Sequence, residues 1–312
     1  MTPYTRREFT KLALAALPAA GMLTNLGSVR AAEAAPKPKV DSKVRGVQIG
    51  LNMPYSFGTG IMAGKDVLDI CLALGVNGLE LRTQTVELFL GAPVSSLGRG
   101  KDANAAALRA WRAGADVARA KAFRQNFEAA GMLIEIVKVD NIFKLGDAEL
   151  DYLFTLGRAV GARALSAEIS ADQKDHQRLG KFADKHQMMV GLHGHTHTGP
   201  ADWEKAIAHS PHIGINLDLG HFVAGNNVSP VEYLKQRHDR ITHIHVKDKK
   251  MHDGPNTPLG EGDTPIVEVL RLIRDNQWPM QATIEFEYNV PAGSTRFGEI
   301  RKCIAYCRNA LA

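Results

Sequence analysis

The chain has 312 residues, 45% of them hydrophobic, and a formal charge of +5. Residues 1–39 hold six basic and two acidic side chains, so the rest of the chain carries only about +1, which argues against a phosphate-binding surface for nucleic acid. Three cysteines, Cys71, Cys303 and Cys307, without Cys-x-x-Cys spacing, read as structural residues and not as a disulfide framework or a metal knuckle.

Residues 1–40 are read apart from the fold. Thr5-Arg6-Arg7-Glu8-Phe9-Thr10-Lys11 is a twin-arginine pattern, followed by an uncharged apolar run from Leu12 to Leu26 and an Ala-rich stretch. The run is shorter than the ~20 apolar residues that span a bilayer, and Pro18, Gly21 and Asn25 interrupt it. The expectation is export by the twin-arginine (Tat) machinery to the periplasm, with cleavage between Ala31 and Ala35 and no membrane attachment afterwards. That route carries folded proteins, so a metal could be loaded before export.

Residues 41–312 are expected to form one catalytic domain. Val44–Asn52 reads as strand one, 66–74 as a helix ended by Gly75, and Gly78–Arg82 as strand two. Residues 83–103, rich in Gly and Pro, read as an irregular functional loop before one long helix over 105–130. Strand three (133–139), a helix (148–160), strand four (164–169) and a helix (173–186) follow. Then come strand five (188–193), a helix (203–208), strand six (213–219) and a helix (230–236). Strand seven (241–246), a helix (265–276), strand eight (281–288) and a closing helix (297–311) end the chain. Eight strands joined through helices must run parallel, which predicts an α/β fold of the (β/α)8 TIM-barrel type with outer helices. The competing open sheet would favour a glycine fingerprint directly after strand one. Gly58-Thr-Gly60-Ile-Met-Ala63 begins several residues too late.

Barrel enzymes carry their sites at the C-terminal strand ends. Glu168, His193, Asp218, His245 and Glu285 stand at or near the ends of strands four to eight. In His243-Ile-His-Val-Lys247 the period of two puts His243, His245 and Lys247 on one face and Ile244 and Val246 on the other. Converging buried carboxylates need a cation. Glu168, Asp218, His245 and Glu285 therefore form a candidate metal set, suited to Mn2+, Co2+, Zn2+ or Mg2+. His193 is expected on a substrate hydroxyl, with His195 nearby and His197 in solvent. Lys247 is expected either on a substrate oxygen or paired with Asp248. His243 is a candidate partner behind the ligands, Glu287 a candidate substrate contact, and Glu80 and Arg82 candidate lining of the mouth. Trp111 and Trp203 read as packing.

Glu168, Asp218-Leu-Gly-His221, His243-Ile-His-Val-Lys-Asp248, Leu259-Gly-Glu-Gly-Asp263 and Ile284-Glu-Phe-Glu287 together resemble the sugar phosphate isomerase/epimerase family, the xylose-isomerase-like barrels. The resemblance spans about residues 44–312. It implies Glu168, Asp218, His245 and Glu285 as metal ligands, His221 beside substrate oxygens, and Glu168 and Glu285 as the pair that moves a proton. A metal-chelated carbonyl acidifies the adjacent C–H, and an enediolate results. The expected activity is isomerisation or epimerisation of a non-phosphorylated sugar or keto-sugar. Elimination, as in inosose dehydratase-like relatives, is the runner-up. A non-catalytic sugar-binding protein is a third reading, and a homo-oligomer is compatible with the sequence. An endonuclease-IV-like enzyme would need further histidines at the ends of strands two and three, where Arg82 and Asp140 stand.

Overall fold

The computed structural model describes residues 40–97 and 105–312. The twin-arginine segment lies outside these residues. Eight strands form the barrel: β1 Val47–Met53, β2 Gly78–Arg82, β3 Leu133–Lys138, β4 Ala164–Glu168, β5 Met189–His193, β6 Ile213–Asp218, β7 Ile241–Val246 and β8 Gln281–Ile284. Each pairs in parallel with the next, and β8 pairs with β1, so the sheet closes. The predicted (β/α)8 barrel is the observed fold. A two-residue strand, Lys43–Val44, folds back on β1, and a small hairpin joins Asp248–Lys249 to Asn256–Thr257.

The outer layer comprises α1 Gly64–Leu74, α2 Thr83–Leu90, α3 Ala105–Gly114, α4 Ala120–Ala129, α5 Asp147–Ala159, α6 Gln173–His186, α7 Pro200–Ile207, α8 Leu219–Asn226, α9 Val231–Arg237, α10 Ile266–Asn276 and α11 Arg296–Leu311. Their apolar stripes cover the outward strand residues, such as Leu217, Ile244 and Val246, all fully buried. Gly75 ends α1 at φ 73°, a left-handed conformation that costs glycine least.

The expected irregular stretch 83–103 begins instead with α2, whose Val86 and Leu90 are buried and whose Phe89 packs edge-on against Phe123 at 5.2 Å. The glycines and prolines that suggested a loop start only at Gly91. The long helix expected over 105–130 is broken, because the Asp116 carboxylate accepts from Ala118 N at 3.0 Å and starts a new turn. Strand six was expected through Leu219, but Asp218 caps α8 by accepting from His221 N at 2.8 Å, so the helix begins at once. The eighth strand ends at Ile284, four residues early. The chain turns there to the loop after β1, where Phe286 N donates to Ser56 Oγ at 3.3 Å.

Parallel register sets what faces the interior. Glu168, His193, Asn216, His243 and Gln281 are successive partners from β4 to β8, and Asp218, His245 and Thr283 form a second row. The floor is closed by Gln281. A Cβ built on Gly50 or Gly78 would come within 2.4 or 2.5 Å of its amide, so a side chain at either position would push that amide aside.

Candidate active site at the barrel rim

The rim donors share one construction: half of each side chain is tied to the scaffold and the other half is offered inward. Asp218 uses Oδ1 to cap α8 through His221 N. Its Oδ2 lies 3.0 Å from Lys247 Nζ, 3.4 Å from His193 Nε2 and 3.5 Å from His245 Nδ1. Glu285 accepts from Asn52 Nδ2 at 2.8 Å through Oε1, and its Oε2 lies 2.6 Å from Lys247 Nζ and 3.3 Å from His245 Nδ1. His245 is held through Nε2, 2.6 Å from Glu80 Oε2. Its Nδ1 is buried and, among the described residues, has no hydrogen-bond partner.

Glu168 stands on the far side of His193. Its Oε1 is 2.7 Å from Lys138 Nζ, and its Oε2 meets His193 Nδ1 at 3.0 Å and His195 Nε2 at 2.7 Å. The structure thus gathers His193, Asp218, His245 and Glu285, with donor atoms all within 4.8 Å of one another, and a neighbouring trio of Glu168, His193 and His195. Glu168 joins the expected set only through His193. That imidazole is nearly buried and bridges two carboxylates, whereas His195 and His197 are exposed.

Lys247 does not pair with Asp248. Its Nζ sits among Asp218, Glu285 and Glu287, the last at 2.7 Å, and 3.1 Å from His221 Nε2. Asp248 is occupied elsewhere, accepting from Gly260 N, Gly262 N and Thr264 N at 2.8, 2.9 and 3.1 Å. Tyr55 Oη donates to Glu287. Arg82 pairs with Asp140 and lies 4.8 Å over the Tyr55 ring, so it supports the mouth from the β2 side. Trp203 is buried packing, its Nε1 donating to Leu192 O at 2.9 Å.

Burial pushes the Asp218 and Glu285 carboxyls up, but Lys247 beside both outweighs it and holds them well below the carboxylate range. Burial also raises Glu168, and Lys138 and His193 bring it down. Burial would lower Lys247, yet its three carboxylates keep it firmly charged. Burial lowers His221 and His243 to about 4, so both are neutral at pH 7.

The donor set fits a divalent ion. His245 Nδ1 lies 3.5 and 3.3 Å from the Asp218 and Glu285 oxygens, separations that match the edges of a shell with bonds of about 2.1 Å. Among the described residues no hydrogen bond engages that Nδ1. Lys247 competes for the same oxygens. Sequence reasoning passed over Asn52 and Lys138. Both are polar residues of otherwise apolar inward-facing strand ends, and that parity was the signal available.

These features define a closed (β/α)8 barrel with a polar rim suited to a cation. Residues 173–308, which carry β5 to β8 and their donors, match the family model described as xylose isomerase-like TIM barrel. An uncharacterized protein of Methanocaldococcus jannaschii is 34% identical over 67 residues, covering 21% of this chain and 23% of that protein. Inosose dehydratase of Clostridium botulinum is 26% identical over 133 residues, covering 35% of this chain and 44% of the relative. The chain therefore spans less than half the length of either curated relative. Among solved structures, 3-keto-D-glucoside 4-epimerase from E. coli superposes with a TM-score of 0.58 at 12% identity, over 84% of this chain and 99% of that one, a likeness of fold.

Proposed function

We propose that the chain is a divalent-metal-dependent isomerase or epimerase of a non-phosphorylated sugar or keto-sugar. The observation that carries this reading is the unpartnered, buried Nδ1 of His245, aimed at Asp218 Oδ2 and Glu285 Oε2. A divalent ion held by these groups would polarise a carbonyl and acidify its neighbouring C–H. Glu168 reaches the rim from β4 and Glu285 follows β8, and both are ionised, as a proton acceptor must be. In this reading they pass the substrate proton between them through an enediolate. Lys247, His221 and Glu287 line the same space and would hold hydroxyls.

Two features favour a substrate without phosphate. The loop after β7 has the backbone N–H groups of an anion cradle, but Asp248 fills it with an internal carboxylate. The twin-arginine pattern would export the protein to the periplasm, away from most sugar phosphates. A second reading, dehydration through the same proton removal, is favoured by the match to inosose dehydratase.

The test is incubation of Mn2+-loaded protein with keto-sugars and oxidised glycosides in D2O. Deuterium in recovered sugar supports epimerase chemistry, and an unsaturated product supports dehydration. Neither product from a broad panel, with sugar bound, would leave only a binding role.

A further inference from the structure

Beneath the rim the barrel holds a carboxylate that the proposed reaction does not use. Glu80, on β2, is fully buried, and among the described residues the groups facing it are two imidazoles. Its Oε2 lies 2.6 Å from His245 Nε2, and its Oε1 lies 3.5 Å from His243 Nε2. No lysine or arginine among the described residues pairs with it. A buried anion of this kind is costly unless N–H groups point at it.

We infer that Glu80 is a positioning residue that fixes the tautomer and aim of His245, and thereby sets how tightly the rim holds a divalent ion. The inference rests on the metal reading above. Nε2 of His245 has two neighbours, Glu80 Oε2 at 2.6 Å and Asn216 Nδ2 at 3.1 Å. The shorter contact is to an anion that can only accept, so it decides the matter: Nε2 carries the proton. Nδ1 is then the nitrogen left to offer its lone pair to a metal, and it faces Asp218 and Glu285. Carboxylate–imidazole partners of this type typically change metal affinity by about 10–100-fold. Glu80 also steadies the ring. Its second oxygen lies 3.5 Å from His243 Nε2 without a hydrogen bond, so the hold of β2 on β7 runs through His245.

The experiment titrates metal-free protein with Mn2+ by calorimetry and with Co2+ by visible absorption. Wild type should take one ion. Glu80→Leu should bind about 10–100-fold more weakly, with a Co2+ spectrum shifted toward that of His245→Ala. Glu80→Gln, whose amide oxygen still accepts from Nε2, should recover much of the loss. In a His245→Ala background Glu80→Leu should change affinity less than about twofold, because the effect runs through that ring. Should Glu80→Leu fail to fold, Glu80→Asp withdraws the carboxylate by one carbon and carries the same comparison. An equal loss with and without His245, or a second ion seated among Glu80, His243 and His245, would overturn the inference. Wild type that binds neither ion would instead overturn the metal reading on which it stands.

Discussion

Lys247→Met offers the sharpest test of the rim electrostatics. Methionine keeps the length and apolar stem of lysine and removes only the charge. In the structure that ammonium contacts Asp218, Glu285 and Glu287 at 3.0, 2.6 and 2.7 Å, and the first two carboxylates are buried. Removing one partner of a buried ion pair costs about 3–5 kcal/mol, since the stranded charge loses its compensation. Glu287 is 21% exposed and adds little, so the estimate stays in that range. At about 2–4 °C per kcal/mol, the midpoint should fall by roughly 6–20 °C in the presence of a chelator. Adding Mn2+ should reverse most of the loss, because an ion at a thousandfold its Kd contributes about 4 kcal/mol. The variant should also bind Mn2+ more tightly than wild type, as no ammonium contests the two oxygens. Thermal melts with chelator and with Mn2+ decide the matter. A variant as stable as wild type in chelator, or one that Mn2+ stabilises no more than wild type, would refute the claim that lysine and metal share these carboxylates.

Glu285→Gln should leave the protein folded and abolish deuterium incorporation. Near-normal exchange would remove Glu285 from the chemistry. Asp248→Ala strips a carboxylate acceptor from three backbone N–H groups, each such bond being worth about 1.5–3 kcal/mol, partly replaced by water. Urea unfolding should show a net loss of about 2–4 kcal/mol, and an unchanged midpoint would mean the loop does not depend on that carboxylate. His243 is pushed down to about 4 by burial, so between that value and the unfolded histidine pKa of about 6.5 only the unfolded chain takes its proton. That residue's contribution makes stability fall as pH drops through this window. His243→Gln should lose up to about 1.4 kcal/mol per pH unit of the slope, and an identical slope would show that His243 titrates normally. Replacing Arg6 and Arg7 by lysine should leave the precursor in the cytoplasm by cell fractionation, and periplasmic protein at wild-type level would exclude the twin-arginine route.

The barrel was legible because its eight strands alternate with helices and each strand is a short apolar run. The rim donors were legible because a charged or imidazole group at the end of such a run has few structural uses. What escaped was partly local and partly a matter of distance along the chain. Asp218 read as the end of a strand, although its carboxylate also starts the next helix, and a ladder pattern carries no signal for a cap that begins in the same residue. Helix α2 hid before a stretch of Gly and Pro whose turn signals dominated the window. The alternatives left open for Lys247 turned on Asp248, and only the folded loop shows Asp248 engaged by backbone N–H groups. Asn52 and Glu80 lie on β1 and β2, more than 160 residues from the groups they hold, and no local pattern links such positions.

The two carboxylates proposed to move the proton differ in a way that bears on the outcome. Glu285 is buried, anchored by Asn52 and Lys247, and shielded by the rim. Glu168 is 45% exposed, beside the exposed His195, although Lys138 behind it is buried. A proton taken by Glu285 would be kept from solvent, and one taken by Glu168 would exchange with water. If Glu168 accepts the proton from substrate, wild-type protein in D2O should label recovered substrate as well as product. If Glu285 accepts it first, label should enter the product before the substrate. Early label in substrate with none in product would mean that the second carboxylate never completes the transfer, and the epimerase reading would give way to elimination from the same intermediate.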